Sequence, residues 1–178
     1  YAGWIALHAA IAGGAEVCLI PEIPYDINKV LETINERVDR GRGFANIVIA
    51  EGAKPLDGGM AFSENDTPGA MKIKLGGAGL RLSHELREAG CPIEIRETIL
   101  GHLQRGGSPN AFDRILASQF GVKAFELALQ KKWGHMVAYR HPNIEAVPIA
   151  EAIKNYNLVN PEGNLVRTAR GLGISLGD

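Results

Sequence analysis

The 178 residues carry little of the chemistry that assigns a function at sight. There are two cysteines, Cys18 and Cys91, and no C-x-x-C pair, which argues against thiolate metal binding and a redox dithiol. Each sits in an apolar run that reads as strand, so both are expected as reduced core residues, in keeping with a cytosolic compartment. Four of the histidines, His8, His84, His135 and His141, show no metal-ligand spacing with one another. A Walker A loop, a Gly-x-Ser-x-Gly elbow and an Asp-rich metal motif are all missing. Neither sign of charge dominates: 19 Lys and Arg stand against 20 Asp and Glu, a net of -1. Bulk charge therefore makes no case for nucleic acid or an anionic membrane as partner. No apolar stretch is long enough to span a bilayer, and the first residues lack the basic region and cleavage site of a signal peptide.

What is present suits a globular α/β domain, with 46% hydrophobic and 22% charged residues. The chain opens on Tyr1-Ala2-Gly3-Trp4 with a helical pattern starting almost at once, which reads as a cut through a domain and predicts a piece of a larger protein. Gly3 to about Ala12 is apolar on every face, a buried helix ended by Gly13-Gly14. Glu16–Ile20 is a continuous apolar run closed by Pro21, the pattern of a strand buried on both faces. Asp26 is placed to cap a helix carrying Ile27, Val30, Leu31, Ile34 and Val38 at helical spacing, ended by Arg40-Gly41-Arg42-Gly43. Asn46–Ala50 reads as a second buried strand with Glu51 at its carboxyl end. A polar, glycine-rich loop follows from Gly52 to about Gly69, and helical spacing resumes near Met71 through Leu75, Leu80, Leu82 and Leu86. Pro92–Arg96 reads as a third strand. Beyond Pro109 a long amphipathic helix is expected, with Phe112, Ile115, Leu116, Phe120, Val122, Phe125 and Leu127–Leu129 toward its buried side and a possible break at Gly121. Gly134–Tyr139 reads as a fourth strand with 143–147 beside it, and short helices are expected over 149–153 and 165–169. The alternation predicts a single α/β domain over 1–178, a Rossmann-like three-layer αβα lobe with a mostly parallel sheet.

In such sheets ligands bind beyond the carboxyl ends of the strands. Glu22, Glu51 and the run Arg96–Arg105 all fall there. Glu51 could accept hydrogen bonds from sugar hydroxyls, or cap a helix or sit in an ion pair. His102 with Arg105 three residues on, and Arg96 upstream, suggests an anion site, because a guanidinium grips phosphate oxygens in a bidentate fork. The competing reading of this stretch is a surface turn with solvated charges. Asp113-Arg114 reads as a local ion pair, and Arg40 and Arg42 as a solvated helix end or a second anion site.

The run Gly101-His102-Leu103-Gln104-Arg105-Gly106-Gly107-Ser108-Pro109, continued by Asp113-Arg114-Ile115-Leu116-Ala117, resembles the C-terminal half of the phosphofructokinase family. Ala10-Ile11-Ala12-Gly13-Gly14-Ala15-Glu16, Pro21-Glu22 and Ile49-Ala50-Glu51-Gly52 match in the same order, so the resemblance covers nearly the whole chain. It implies a part in transferring a phosphoryl group from ATP, with Mg2+, to the 1-hydroxyl of fructose 6-phosphate in glycolysis. By position, Glu51 resembles the carboxylate that holds sugar hydroxyls. His102 and Arg105 resemble the groups that grip the 6-phosphate, with Leu103 and Gln104 in the same segment. Arg96 resembles an arginine reaching substrate in a neighbouring subunit, which implies a homo-oligomer, a dimer or tetramer. Glu22, Arg40 and Arg42 fall where regulated members bind a nucleotide effector, with Arg in place of the Lys of those members. The family's nucleotide loops, its catalytic aspartate and most of its Mg2+ contacts lie upstream of this stretch. The resemblance therefore implies no catalytic and no metal-binding residue within the chain, which alone is expected to be inactive. The loop after Glu51 is longer than in short bacterial members and leaves a diphosphate-dependent phosphotransferase as an alternative. A non-catalytic sugar-phosphate-binding or regulatory module is the other.

Overall fold

A computed structural model of the chain describes residues 2–58 and 77–178. The expected helical turns at Met71 and Leu75, and the loop beyond Gly58, lie outside the described residues. The chain divides into two compact units, Tyr1–Ile99 with Asn157–Asp178, and Leu100–Tyr156.

The first unit is built on β1 (Val17–Leu19), which pairs in parallel with β2 (Ile47–Ile49) in the register Val17↔Ile47, Cys18↔Val48, Leu19↔Ile49. On its other side β1 meets Ser175 through a parallel bridge at Val17, with Cys18 N–H donating to the Ser175 carbonyl at 2.8 Å. Covered on both edges and both faces, Val17, Cys18 and Leu19 are fully buried. This is the physical basis of a continuous apolar run in place of alternation. Successive side chains feed opposite layers. Cys18 and Ile20 join Leu7, Ala10, Val166 and Leu176, from α1 (Trp4–Gly13), α6 (Asn164–Gly171) and the closing segment. Val17 and Leu19 join Tyr25, Val30, Ile34, Leu82 and Leu86, from α2 (Ile27–Asp39), α3 (Ala78–Glu88) and the loop before α2. The result is the expected three-layer αβα arrangement. Burying one such aliphatic side chain stabilises the fold by about 1.5–3 kcal/mol. Burial also pushes the Cys18 thiol up to about 12, so it stays protonated and inert.

The local signals set the helix ends. α1 stops at Gly14, whose φ of 66° is left-handed and whose N–H returns to the Ala10 carbonyl. Asp26 caps α2 by accepting the Asn28 N–H at 2.8 Å. The segment 92–96, expected as a third strand, is not one. Ile93 and Ile95 alternate and pack against the second cluster, but no neighbouring strand among the described residues pairs with them. Their alternation reflects one buried side without a ladder. Cys91, expected in that strand, is only part-buried and precedes the segment.

The second unit is a single long helix on a hairpin. α4 (Ala111–Leu129) runs through Gly121 without the anticipated break and packs on β3 (His135–Arg140) and β4 (Asn143–Pro148). These two strands pair antiparallel from His135↔Pro148 to Arg140↔Asn143, and α5 (Ile149–Ala152) follows. Most of the expected buried side of α4 is exposed. Leu127 is its one buried residue, while Phe112, Ile115, Val122, Phe125 and Leu129 are 55–69% exposed. Apolar residues circle the helix, and the hairpin covers one side only. A helix apolar all round is built for a larger core than this unit supplies.

Candidate functional site

The 101–109 stretch folds as a 3-10 turn over Gly101–Arg105, entered from Leu100 and left through Gly106. Leu103 N–H donates to the Leu100 carbonyl and Gly106 N–H to the Leu103 carbonyl, both at 3.0 Å. Gly101 and Gly107 hold φ values of 53° and 110°, left-handed conformations that a side chain would strain, so the two glycines set the entry and exit of the turn. Three residues per turn place His102 and Arg105 on one edge of it. His102, Leu103, Gln104 and Arg105 are all exposed, and no hydrogen bond or ion pair among the described residues engages the three polar side chains. An imidazole, a carboxamide and a guanidinium, none of them neutralised, stand together on one exposed turn, and all three are groups able to donate hydrogen bonds to an anion. The Ser108-Pro109 segment then leads into α4 through a capping box. Asn110 Oδ1 accepts the Asp113 N–H at 3.0 Å, and the Asp113 carboxylate accepts the Asn110 N–H at 2.9 Å. Asp113 is thus a cap, not the partner of Arg114 that adjacency in sequence suggested. The N-x-x-D spacing is its sequence signal.

The other expected site residues belong to the first unit. Glu51 follows β2 on an exposed turn. Its carboxylate lies against Gly77, the residue before α3, so closely that a β-carbon there would sit 2.8 Å from Oε2. α3 has no side-chain cap of its own, and a carboxylate at a helix N-terminus is electrostatically favourable. Arg96 is exposed and held in a fork by Glu94, Nε to Oε1 at 3.1 Å and Nη2 to Oε2 at 3.2 Å. No hydrogen bond or ion pair among the described residues joins Arg96 to Glu51.

Of the three residues expected at an effector site, two have partners in the fold. The Glu22 carboxylate accepts the N–H of Gly3 at 3.0 and 3.2 Å and that of Val159 at 2.9 Å, tying three separate segments together. Arg40 pairs with Glu36 one helical turn back at 3.2 Å. Arg42 makes no side-chain hydrogen bond or ion pair among the described residues.

Sequence reasoning did not single out two further groups. Tyr25, fully buried, donates to Glu85 at 2.8 Å, and burial together with that carboxylate pushes its phenol up to about 12. Arg87 of α3 reaches Ser83, Ile95 and Glu97 together. Its partners lie four to ten residues away, with no motif to mark them.

The phosphofructokinase family model matches residues 1–128. The chain is 46% identical to ATP-dependent 6-phosphofructokinase 2 of Clostridium perfringens over 179 residues, which is 99% of this chain and 48% of that protein. It is 44% identical to the ATP-dependent 6-phosphofructokinase of Chloroflexus aurantiacus, covering 100% of this chain and 48% of the relative. The chain therefore spans about half the length of the curated relatives it matches. The phosphofructokinase structure from Saccharomyces cerevisiae superimposes with a TM-score of 0.62 at 29% identity, over 85% of this chain and 19% of that one. A pyrophosphate-dependent phosphofructokinase from Marinobacter aquaeolei shares the fold, with a TM-score of 0.65 at 21% identity over 98% of this chain and 42% of the other. With the family model covering most of its length and the glycine-framed His-Leu-Gln-Arg turn in place, this chain belongs to the phosphofructokinase family.

Proposed function

We propose that this chain is the fructose 6-phosphate-binding part of a 6-phosphofructokinase, which moves a phosphoryl group from ATP to the 1-hydroxyl of that sugar. The observation that carries the reading is the 102–105 turn, three unneutralised polar side chains on an exposed loop with no bonding role of their own in the described fold. His102, Gln104 and Arg105 would grip the 6-phosphate, Leu103 would line the same segment, and Glu51 would accept the sugar hydroxyls. Arg96 would act on substrate in a neighbouring subunit of a homo-oligomer, where a phosphate has to displace Glu94 from its fork. Arg42, the unpaired member of the effector group, would carry any regulatory anion, with Glu22 and Arg40 adding a contact only if they leave their present partners.

The full enzyme is read as two-lobed and cytosolic, with residues 1–178 as one lobe. Relatives about twice as long support a second lobe, as does α4, whose exposed apolar sides need a cover. Among the described residues no helix is long and apolar enough to cross a membrane. None of their His, Cys, Asp and Glu side chains form a group of three or more that could hold a metal ion. Mg2+ would arrive with the donor on the other lobe.

ATP is favoured over diphosphate as donor because curated relatives at 40–46% identity carry ATP-dependent names, whereas the diphosphate-dependent structures share 21–22% and speak for the fold alone. The direct test is a donor assay on the full-length enzyme with fructose 6-phosphate. Turnover with ATP and none with diphosphate is expected. Turnover with diphosphate only would transfer the reading to the alternative, and turnover with neither, beside tight sugar-phosphate binding, would make it a binding module.

A further inference from the structure

Arg96 sits on a segment that lacks what normally fixes a backbone. Residues 92–98 form no ladder with any described strand, and Ile93 and Ile95 supply only part-buried packing. The residues on either side of Arg96 are nevertheless held to α3 by one side chain. Arg87 donates from Nη1 to the Ser83 hydroxyl at 3.1 Å and from Nη2 to the Ile95 carbonyl at 3.3 Å and the Glu97 carboxylate at 2.7 Å. Ser83 is the one buried polar residue of the described chain, 3% exposed, and its hydroxyl donates in turn to the Leu80 carbonyl at 3.0 Å. The Glu97 side chain is 23% exposed. An isolated surface ion pair would be worth little. A planar fork that meets a buried hydroxyl, a backbone carbonyl and a carboxylate at once is a different case, because its geometry is fixed by all three.

We propose that Arg87, backed by Ser83 and Glu97, is a positioning residue that sets where Arg96 is presented to the sugar phosphate. This rests on the reading of Arg96 as a substrate contact. Gripping residues 95 and 97 fixes the chain on both sides of Arg96, and a shift of about an ångström in such a group is enough to lose much of its effect. Lysine cannot replace the fork, since one ammonium does not span all three partners.

The test uses the full-length enzyme and five variants: Arg87→Ala, Arg87→Lys, Glu97→Gln, Arg96→Ala and the double variant Arg87→Ala/Arg96→Ala. Arg87→Ala and Glu97→Gln should each raise the KM for fructose 6-phosphate about three- to tenfold, with donor KM unchanged. Arg87→Lys should fail to restore it. The double variant should be no worse in sugar-phosphate KM than Arg96→Ala alone, because Arg87 acts through Arg96. Independent, multiplying effects would show a general structural role and overturn the proposal. So would a normal KM in Glu97→Gln, which removes the charge without emptying the site and serves if Arg87→Ala does not fold. If Arg96→Ala itself leaves the KM unchanged, the reading of Arg96 fails, and with it the ground for this inference. If only Arg96→Ala raises the KM, that reading stands and the positioning role of Arg87 falls.

Discussion

Replacing Glu22 by alanine separates two roles that the sequence left entangled. Its carboxylate accepts the amides of Gly3 and Val159, and both residues are buried, Val159 at 3% exposure. Water does not readily take over at either donor. A hydrogen bond to a charged group contributes about 1.5–3 kcal/mol, and a buried donor left unpaired carries its own desolvation cost. Two such bonds at the low end give about 3 kcal/mol for Glu22→Ala. Glu22→Gln keeps an acceptor oxygen and loses the charge, so about half of that is expected. Amide hydrogen exchange reads the effect where it arises. With about 1.4 kcal/mol for each factor of ten, protection of the Gly3 and Val159 amides should fall roughly a hundredfold in Glu22→Ala. Arg42→Ala, the control without a bond to lose, should leave both amides as they were. Unchanged protection at Gly3 and Val159 in Glu22→Ala would refute the structural role. A lost effector response with those amides still protected would return Glu22 to the regulatory reading.

Two further outcomes follow from the first unit. Tyr25 has its phenol raised from 10.0 to about 12, chiefly by burial, so the stability it contributes is complete below pH 10 and lost as pH rises through about 12. Alkaline unfolding should begin as that last phenol ionises in the ultraviolet, and Tyr25→Phe, costing about 1 kcal/mol for the bond to Glu85, should uncouple the two. Gly77→Ala brings a β-carbon to 2.8 Å from Glu51 Oε2. The carboxylate must move, so the KM for fructose 6-phosphate should rise several-fold, about 1 kcal/mol, with the donor KM constant. An unchanged sugar-phosphate KM would detach Glu51 from the substrate.

The parts of the fold legible in sequence were those governed by local chemistry. The Asp26 cap, the Gly14 stop and the doubly buried β1 run each follow from a few neighbouring residues, and each appears where expected. The failures have a common cause. Ile93 and Ile95 show the alternation of a strand, yet alternation reports only that one side is buried, not that a partner strand is present. The α4 side chains are apolar for the same uninformative reason: composition tells that they want cover, not what gives it. The turn that carries the candidate site was legible as a motif, since Gly101 and Gly107, which frame it, hold left-handed φ values that favour glycine. Glu22 was not, since nothing local shows that residues 3 and 159 converge on its carboxylate.

The central claim is that the 102–105 turn serves the sugar phosphate. Steady-state kinetics of Arg105→Ala in the full-length enzyme measures it most directly. Losing one charge-assisted contact of about 1.5–3 kcal/mol should raise the KM for fructose 6-phosphate about ten- to a hundredfold and leave the KM for ATP where it was. Equal changes in both constants, or none in either, would contradict the account.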